Sequence, residues 1–280
     1  MALNLSLEMD TNRVITDYIL VCAKRRFDGI ERQNSLRLLE YFGNEMATYD
    51  DYQFHITGST AECALSSSDV DKMLSSKSFA VCDGRSTVAE PCESSPGYVR
   101  LRVVNTAVLP ASIADCVENS YIGSLRYVER NSKLIGPKNA PVTEACRDSD
   151  SGPKVRRHGP ALERQALSEI HMKTDDVFCL KAISWPYNTW DHLEKFRYLK
   201  IPVFVVPVSH PRSASPELEW RWSFSLVERE ILQSLTEEEN ASYGIFKALK
   251  SELFKEPEGV SKLLCSYFIK KTDTCGFYRS

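Results

Sequence analysis

The chain has no run of about eighteen apolar residues, so no membrane-spanning helix is expected. Its first residues lack both a charged leader region and a continuous apolar stretch, so no signal peptide is expected. There is no CxxC pair and no His/Cys group at zinc-finger spacing, which argues against a structural zinc. The nine cysteines are scattered along 280 residues. Disulfide-stapled secreted scaffolds are short and dense in cysteine. These nine therefore read as reduced, mostly buried thiols of a cytoplasmic protein. An excess of positive charge is also missing: 35 Lys and Arg face 38 Asp and Glu, a net charge of −3. Nothing draws the whole molecule to nucleic acid. A nucleic-acid contact needs a local patch, and the candidates are Lys24 to Arg26 and Lys154 to His158. Each reads more simply as a solvated charged face.

Charged residues make up 26% and apolar ones 42%, ordinary values for a soluble globular protein. The length suits one large domain or two small ones. The most informative segment is GSTAECALSSSDVDKM, Gly58 to Met73. It sets a Gly-Ser pair about ten residues ahead of two aspartates, Asp69 and Asp71, that alternate across one residue. The peptide N–H groups of a Gly-Ser turn can come close to a phosphate because glycine has no Cβ, and the Ser59 hydroxyl adds a donor. In a strand, residues two apart point to one face. Asp69 and Asp71 then present two hard carboxylates side by side, a pair suited to Mg²⁺ or Mn²⁺ against phosphate oxygens. Either half alone is a common surface feature. Together, after the strand-like run Phe54 to Thr57, they favour a phosphate cradle beside a metal clamp.

Thr11 or Asn12 can cap a long amphipathic helix. Its apolar positions are Val14, Tyr18, Val21 and Cys22, then Leu36, Leu39, Phe42 and Met46, with a kink at Gly29. Phe79 to Cys82 and Tyr98 to Val104 read as strands, joined by an Asp/Ser/Pro/Gly-rich connection. Residues 131–160 hold Gly136-Pro137, Pro141 and Gly159-Pro160 with few large apolar residues, and read as a long surface loop. Val177 to Leu180, Val203 to Val206 and Trp220 to Phe224 are further strands. Capping-box patterns at Ser225 to Glu228 and Thr236 to Glu239 each open a helix, the second with Phe246, Leu249 and Leu253 on one face. The expected fold class is α+β: a mixed sheet with a long N-terminal helix over residues 1–224, then a helical lobe over 225–280.

Phosphoryl transfer by two metals calls for a third carboxylate. Asp175 and Asp176, at the start of the Val177 strand, are the candidates. Neighbours in a strand face opposite ways, so only one of them can join the pair.

The Gly58-to-Met73 segment, RHGPA (Arg157 to Ala161), Trp185-Pro186, VPVSHP (Val206 to Pro211) and above all EWRWSFSLVEREIL (Glu219 to Leu232) resemble the Mab-twenty-one-like family of nucleotidyltransferases. That family includes cyclic GMP–AMP synthase and the cGAS-like receptors. The resemblance implies a nucleotidyltransferase fold that uses Mg²⁺ or Mn²⁺ and takes ATP and GTP. It implies a cyclic or linear dinucleotide product, with double-stranded RNA or another ligand as activator in innate immunity. Gly58 and Ser59 correspond to the donor-triphosphate turn, and Asp69, Asp71 and Asp175 to the metal ligands. By the same resemblance, Arg221, Ser223 and Ser225 correspond to residues that line the nucleobase and phosphate pocket, and Lys247 to a lysine that contacts donor phosphates. Ser266, Tyr267 and Lys270 of CSYFIKK match a stretch whose Tyr stacks on a base while its Ser and Lys touch phosphate. Cys63 departs from the glycine of many relatives. No Cys lies between Cys179 and Cys265, so the zinc ribbon of vertebrate cyclic GMP–AMP synthase is missing. Relatives continue through further helices after the CSYFIKK stretch, so the helical lobe is expected to be incomplete. The alternative is a catalytically inactive Mab-twenty-one-like protein that binds partners in development.

Overall fold

The computed structural model describes residues 51–58, 69–93, 95–135, 155–158, 161–165, 173–186, 200–234, 236, 239 and 243. The expected N-terminal helix and the helix after Thr236 with Phe246, Leu249 and Leu253 lie outside these residues. Among the described residues the chain is mixed α/β with few helices, and the strands join one mixed sheet.

In chain order the strands are β1 (Tyr52–Thr57), β2 (Asp69–Val81), β3 (Thr87–Pro91) and β4 (Tyr98–Val103). A short helix α1 (Ala111–Ala114), strands β5 (Val117–Glu118) and β6 (Tyr121–Ile122) and helix α2 (Ser124–Ile135) follow. Then come β7 (Val155–His158), β8 (Ala161–Gln165), β9 (Lys173–Ala182), β10 (Val203–Val206), β11 (Glu219–Ser223) and helix α3 (Ser225–Gln233). The sheet order is β1-β2-β9-β10-β11-β4-β6-β5, with β3 on β4 and the β7–β8 hairpin on β9. β2 and β9 run parallel, and the other pairings among the described residues are antiparallel.

Several expectations change. Residues 131–160 are not one loop: α2 extends to Ile135, and β7 occupies Val155–His158. The connection before Tyr98 holds a strand, β3. Asp69 to Val81 is one strand, whose register against β9 shifts between Ser75 and Ala80.

Alternation assigns each strand residue to a face. One face carries Leu74, Val81, Leu101, Phe178, Leu180, Val205 and Trp220. Helix α2 covers it, with Tyr127 1% exposed and its hydroxyl donating to the Cys179 carbonyl at 3.2 Å. The indole of Trp220 donates to the Ile122 carbonyl at 2.8 Å, so its polar atom is satisfied although the ring is wholly buried. The other face carries Met73, Cys179, Phe204 and Val206, capped by Leu226 of α3. Of the four cysteines among the described residues, Cys92, Cys116 and Cys179 are buried and all four are free thiols. No helix among the described residues is long and apolar enough to cross a membrane.

The chain divides into two compact units. Leu38–Glu62 and Ser66–Arg229 form one, which contains the whole sheet. Met1–Arg37, Cys63–Leu65 and Glu230–Ser280 form the other. In the second, the box expected at Thr236 is made: Thr236 N–H donates to Glu239 Oε2 at 2.8 Å, and Glu239 N–H donates back to Thr236 Oγ1 at 3.3 Å. Helix α3 begins at Ser225. Glu228 N–H donates to the Phe224 carbonyl at 2.8 Å, while the Ser225 hydroxyl lies 2.8 Å from that of Ser223.

Candidate functional site

Strand β1 ends at Thr57, which stands opposite Asp71 in the antiparallel pairing with β2. The next residue, Gly58, has a φ of 65°, in the left-handed region where side chains are strained. It also lies directly against Asp71: a Cβ at position 58 would overlap the Asp71 carboxylate. The torsion favours glycine here, and the contact leaves no room for a Cβ. They put bare backbone beside an acidic group.

Asp71 stands opposite Asp175 in the parallel pairing of β2 with β9, and Lys72 stands opposite Asp176. Strand partners share a face and successive residues alternate. Asp71 and Asp175 thus share one face, both half-buried. Asp69 lies two residues upstream of Asp71 in the same strand, and its side chain falls outside the described residues. Asp176 belongs to the opposite face, where its side chain is 2% exposed and Oδ1 lies 3.9 Å from Lys72 Nζ. Of the two acids that the sequence leaves as alternatives, Asp175 is the one in register with Asp71.

Strand β8 contributes a residue absent from the sequence reading. Glu163 stands opposite Asp175. Asp71, Asp175 and Glu163 therefore occupy one row across β2, β9 and β8. No period-2 signal marks this strand: Ala161-Leu162 is apolar, Glu163 to Gln165 is polar, and Gly159-Pro160 precedes it. Among the described residues no three His, Cys, Asp or Glu side chains are arranged to hold a metal. The side chains of Asp69 and Glu163 are not among those described.

His55 is on the same strand as Thr57, two residues earlier, and is 8% exposed. Its Nε2 lies 3.2 Å from Ser75 Oγ, and its ring centre is 5.2 Å from that of Phe204. Burial, and after it the charges of Arg229 and Lys181, push the imidazole down to about 4. His55 is accordingly neutral at pH 7.

Arg221 pairs with Val206 and Ser223 with Phe204, so both fall on the Asp71 face. Arg221 is exposed. Ser223 and Ser225 are brought together hydroxyl to hydroxyl, but not beside the aspartates. Through Phe204, Ser223 is level with Lys181 of β9. The strand from Asp175 to Lys181 spans ~20 Å at ~3.3 Å per residue. Helix α3 joins the two ends: it starts at Ser225, packs Leu226 on the centre of the face, and carries Arg229, whose Nη1 donates to the Ile56 carbonyl at 3.1 Å. Ser59, Lys247, Ser266, Tyr267 and Lys270 lie outside the described residues.

The chain matches no protein-family model, and no curated protein matches it.

Proposed function

We propose that this chain is a metal-dependent nucleotidyltransferase of the Mab-twenty-one-like type, with the nucleotidyltransferase fold and a helical lobe after the sheet. It joins ATP and GTP into a cyclic or linear dinucleotide. The observation that carries the reading is the row made by Asp71 and Asp175 on adjacent parallel strands, with the Gly58 backbone pressed against Asp71.

The donor set fits a hard divalent cation: carboxylate oxygens in register on two strands, half-exposed, beside a backbone with no Cβ in the way. Asp71 and Asp175 would hold Mg²⁺ or Mn²⁺, with Asp69 as the further ligand. A metal bound there supplies positive charge to triphosphate oxygens and acidifies the attacking hydroxyl. The chain's own groups do the rest. The Gly58 backbone would receive phosphate, with Ser59 as a further donor, and the β2–β9 pairing fixes the backbone that carries the aspartates before substrate arrives. Arg221 offers an exposed guanidinium on the same face for phosphate or base. In this reading the activator is double-stranded RNA or another ligand, and the panel below distinguishes them.

The test is incubation of the purified chain with labelled ATP and GTP, Mg²⁺ or Mn²⁺, and a panel of nucleic acids. The expected result is a labelled dinucleotide with release of pyrophosphate. Absence of product under every condition would overturn the enzyme and leave the non-catalytic binding protein.

A further inference from the structure

Helix α3 lies on the sheet through Leu226, and Arg229 stands three residues later, on the same side of the helix. A sheet-facing helix position is normally apolar. Here it holds an arginine that is half-buried and donates to a main-chain oxygen. That oxygen belongs to Ile56, which is 3% exposed and lies in β1 two residues before Gly58. In the sheet order β1 is the end strand among the described strands. Arg229 reaches this strand from α3 through its bond to the Ile56 carbonyl. Immediately after it the chain reaches Thr57, opposite Asp71, and then Gly58, against the Asp71 carboxylate.

We propose that Arg229 is a positioning residue: it fixes the end of β1 from α3, and through Ile56 it sets where the Gly58 backbone lies against Asp71. This rests on the nucleotidyltransferase reading only for its catalytic consequence. The tie itself is a property of the fold. It couples the end of the face where α3 begins, with Ser223 and Ser225, to the end that carries the aspartates. A long, planar, permanently charged side chain suits the task, because it can reach a carbonyl while its stem packs on apolar neighbours.

The experiment compares the full chain with Arg229→Lys and Arg229→Met. Hydrogen exchange is followed in the segment Tyr52 to Gly58 and in β10 as an internal control. Methionine keeps the apolar stem and removes the donors. The expected result is faster exchange at the end of β1 in Arg229→Met by about tenfold, unchanged exchange in β10, and partial protection in Arg229→Lys. Unchanged exchange in β1, or an equal rise in β1 and β10, would overturn the tie. In the transfer assay, the same tie predicts that Arg229→Met lowers kcat about tenfold with little change in KM, and that Arg229→Lys restores part of it. A rise in KM alone would make Arg229 a substrate contact and overturn the positioning role. If the wild-type chain makes no dinucleotide, the enzyme reading fails, while hydrogen exchange still decides the tie.

Discussion

Asp175 and Asp176 are adjacent and chemically identical, yet they occupy two regions of opposite character. Asp175 lies half-exposed beside Asp71, acid against acid. Asp176, on the other face, is 2% exposed and lies 3.9 Å from the Lys72 ammonium, over the apolar cluster of Leu74 and Phe178. On the Asp176 face charge is balanced within the fold. On the Asp175 face two carboxylates stand in one row, with the Gly58 backbone against one of them. Under the proposed function, this row is where a cation would bind. The pleat of one strand is enough to separate a structural acid from a candidate ligand.

The sharpest way to break this comparison is to remove each acid in turn. Asp71→Ala and Asp175→Ala should lower nucleotide transfer by roughly a thousandfold and leave melting temperature unchanged or raised, since repulsion between carboxylates is relieved. Asp176→Ala should do the reverse, lowering stability while the remaining folded protein keeps its transfer rate. Equal loss of activity from Asp175→Ala and Asp176→Ala, at equal stability, would show that the faces do not differ in role.

The next effect concerns pH. His55 has a folded pKa of about 4 against about 6.5 when unfolded. Between these values the unfolded chain binds more protons, so its contribution to stability is fully present above pH 6.5 and is lost as pH falls toward 4. The difference corresponds to ~3 kcal/mol. Denaturant titrations from pH 7 to pH 4 should show that loss in the wild-type chain and a much flatter profile in His55→Gln. The same slope in both would place the acid sensitivity elsewhere.

Gly58 provides a third test, with an internal control. Gly84 also has a positive φ, 72°, but a Cβ there would meet nothing within 4 Å. Gly84→Ala should therefore cost only the torsional strain, ~1 kcal/mol. Gly58→Ala adds overlap with the Asp71 carboxylate and should cost ~2 kcal/mol and most of the transfer activity. Equal melting temperatures for the two variants would mean that Asp71 moves aside freely.

How much of this could be read in the sequence follows from what each feature depends on. Strands β4, β10 and β11 announce themselves by alternation or by short apolar runs, and Gly58 with Asp69 and Asp71 by local chemistry. The pairing of Asp175 with Asp71 depends on a parallel register between segments a hundred residues apart, which no local pattern carries. Helix α2 was hidden because its buried side, Ser124, Tyr127, Val128, Asn131 and Ser132, keeps helical spacing with polar residues at three of the five positions. Their polarity is accommodated by hydrogen bonds: Ser124 to the Glu217 carbonyl at 3.0 Å, Asn131 to the Tyr127 carbonyl at 2.8 Å and Ser132 to the Glu129 carbonyl at 2.8 Å. Glu163 was hidden for the opposite reason, a strand too short and too polar, set in a stretch punctuated by Gly and Pro.

The smallest expected effect lies on the balanced face. Lys72 and Asp176 are not equally buried: their side chains are 19% and 2% exposed. The Lys72 stem passes over the Phe54 ring, with Nζ 5.6 Å from its centre. If Asp176 becomes neutral, the ammonium can turn to water with little penalty, because its stem still packs. If Lys72 loses its charge, the carboxylate has no such exit. Asp176→Asn should therefore cost ~1 kcal/mol and Lys72→Met ~2 kcal/mol, although the second substitution adds apolar surface in a buried place. Denaturation midpoints of the two variants, measured at pH 7 and moderate salt, decide the order. A larger loss in Asp176→Asn would show that the carboxylate is held by its neighbours on the sheet and that the lysine is the dependent partner.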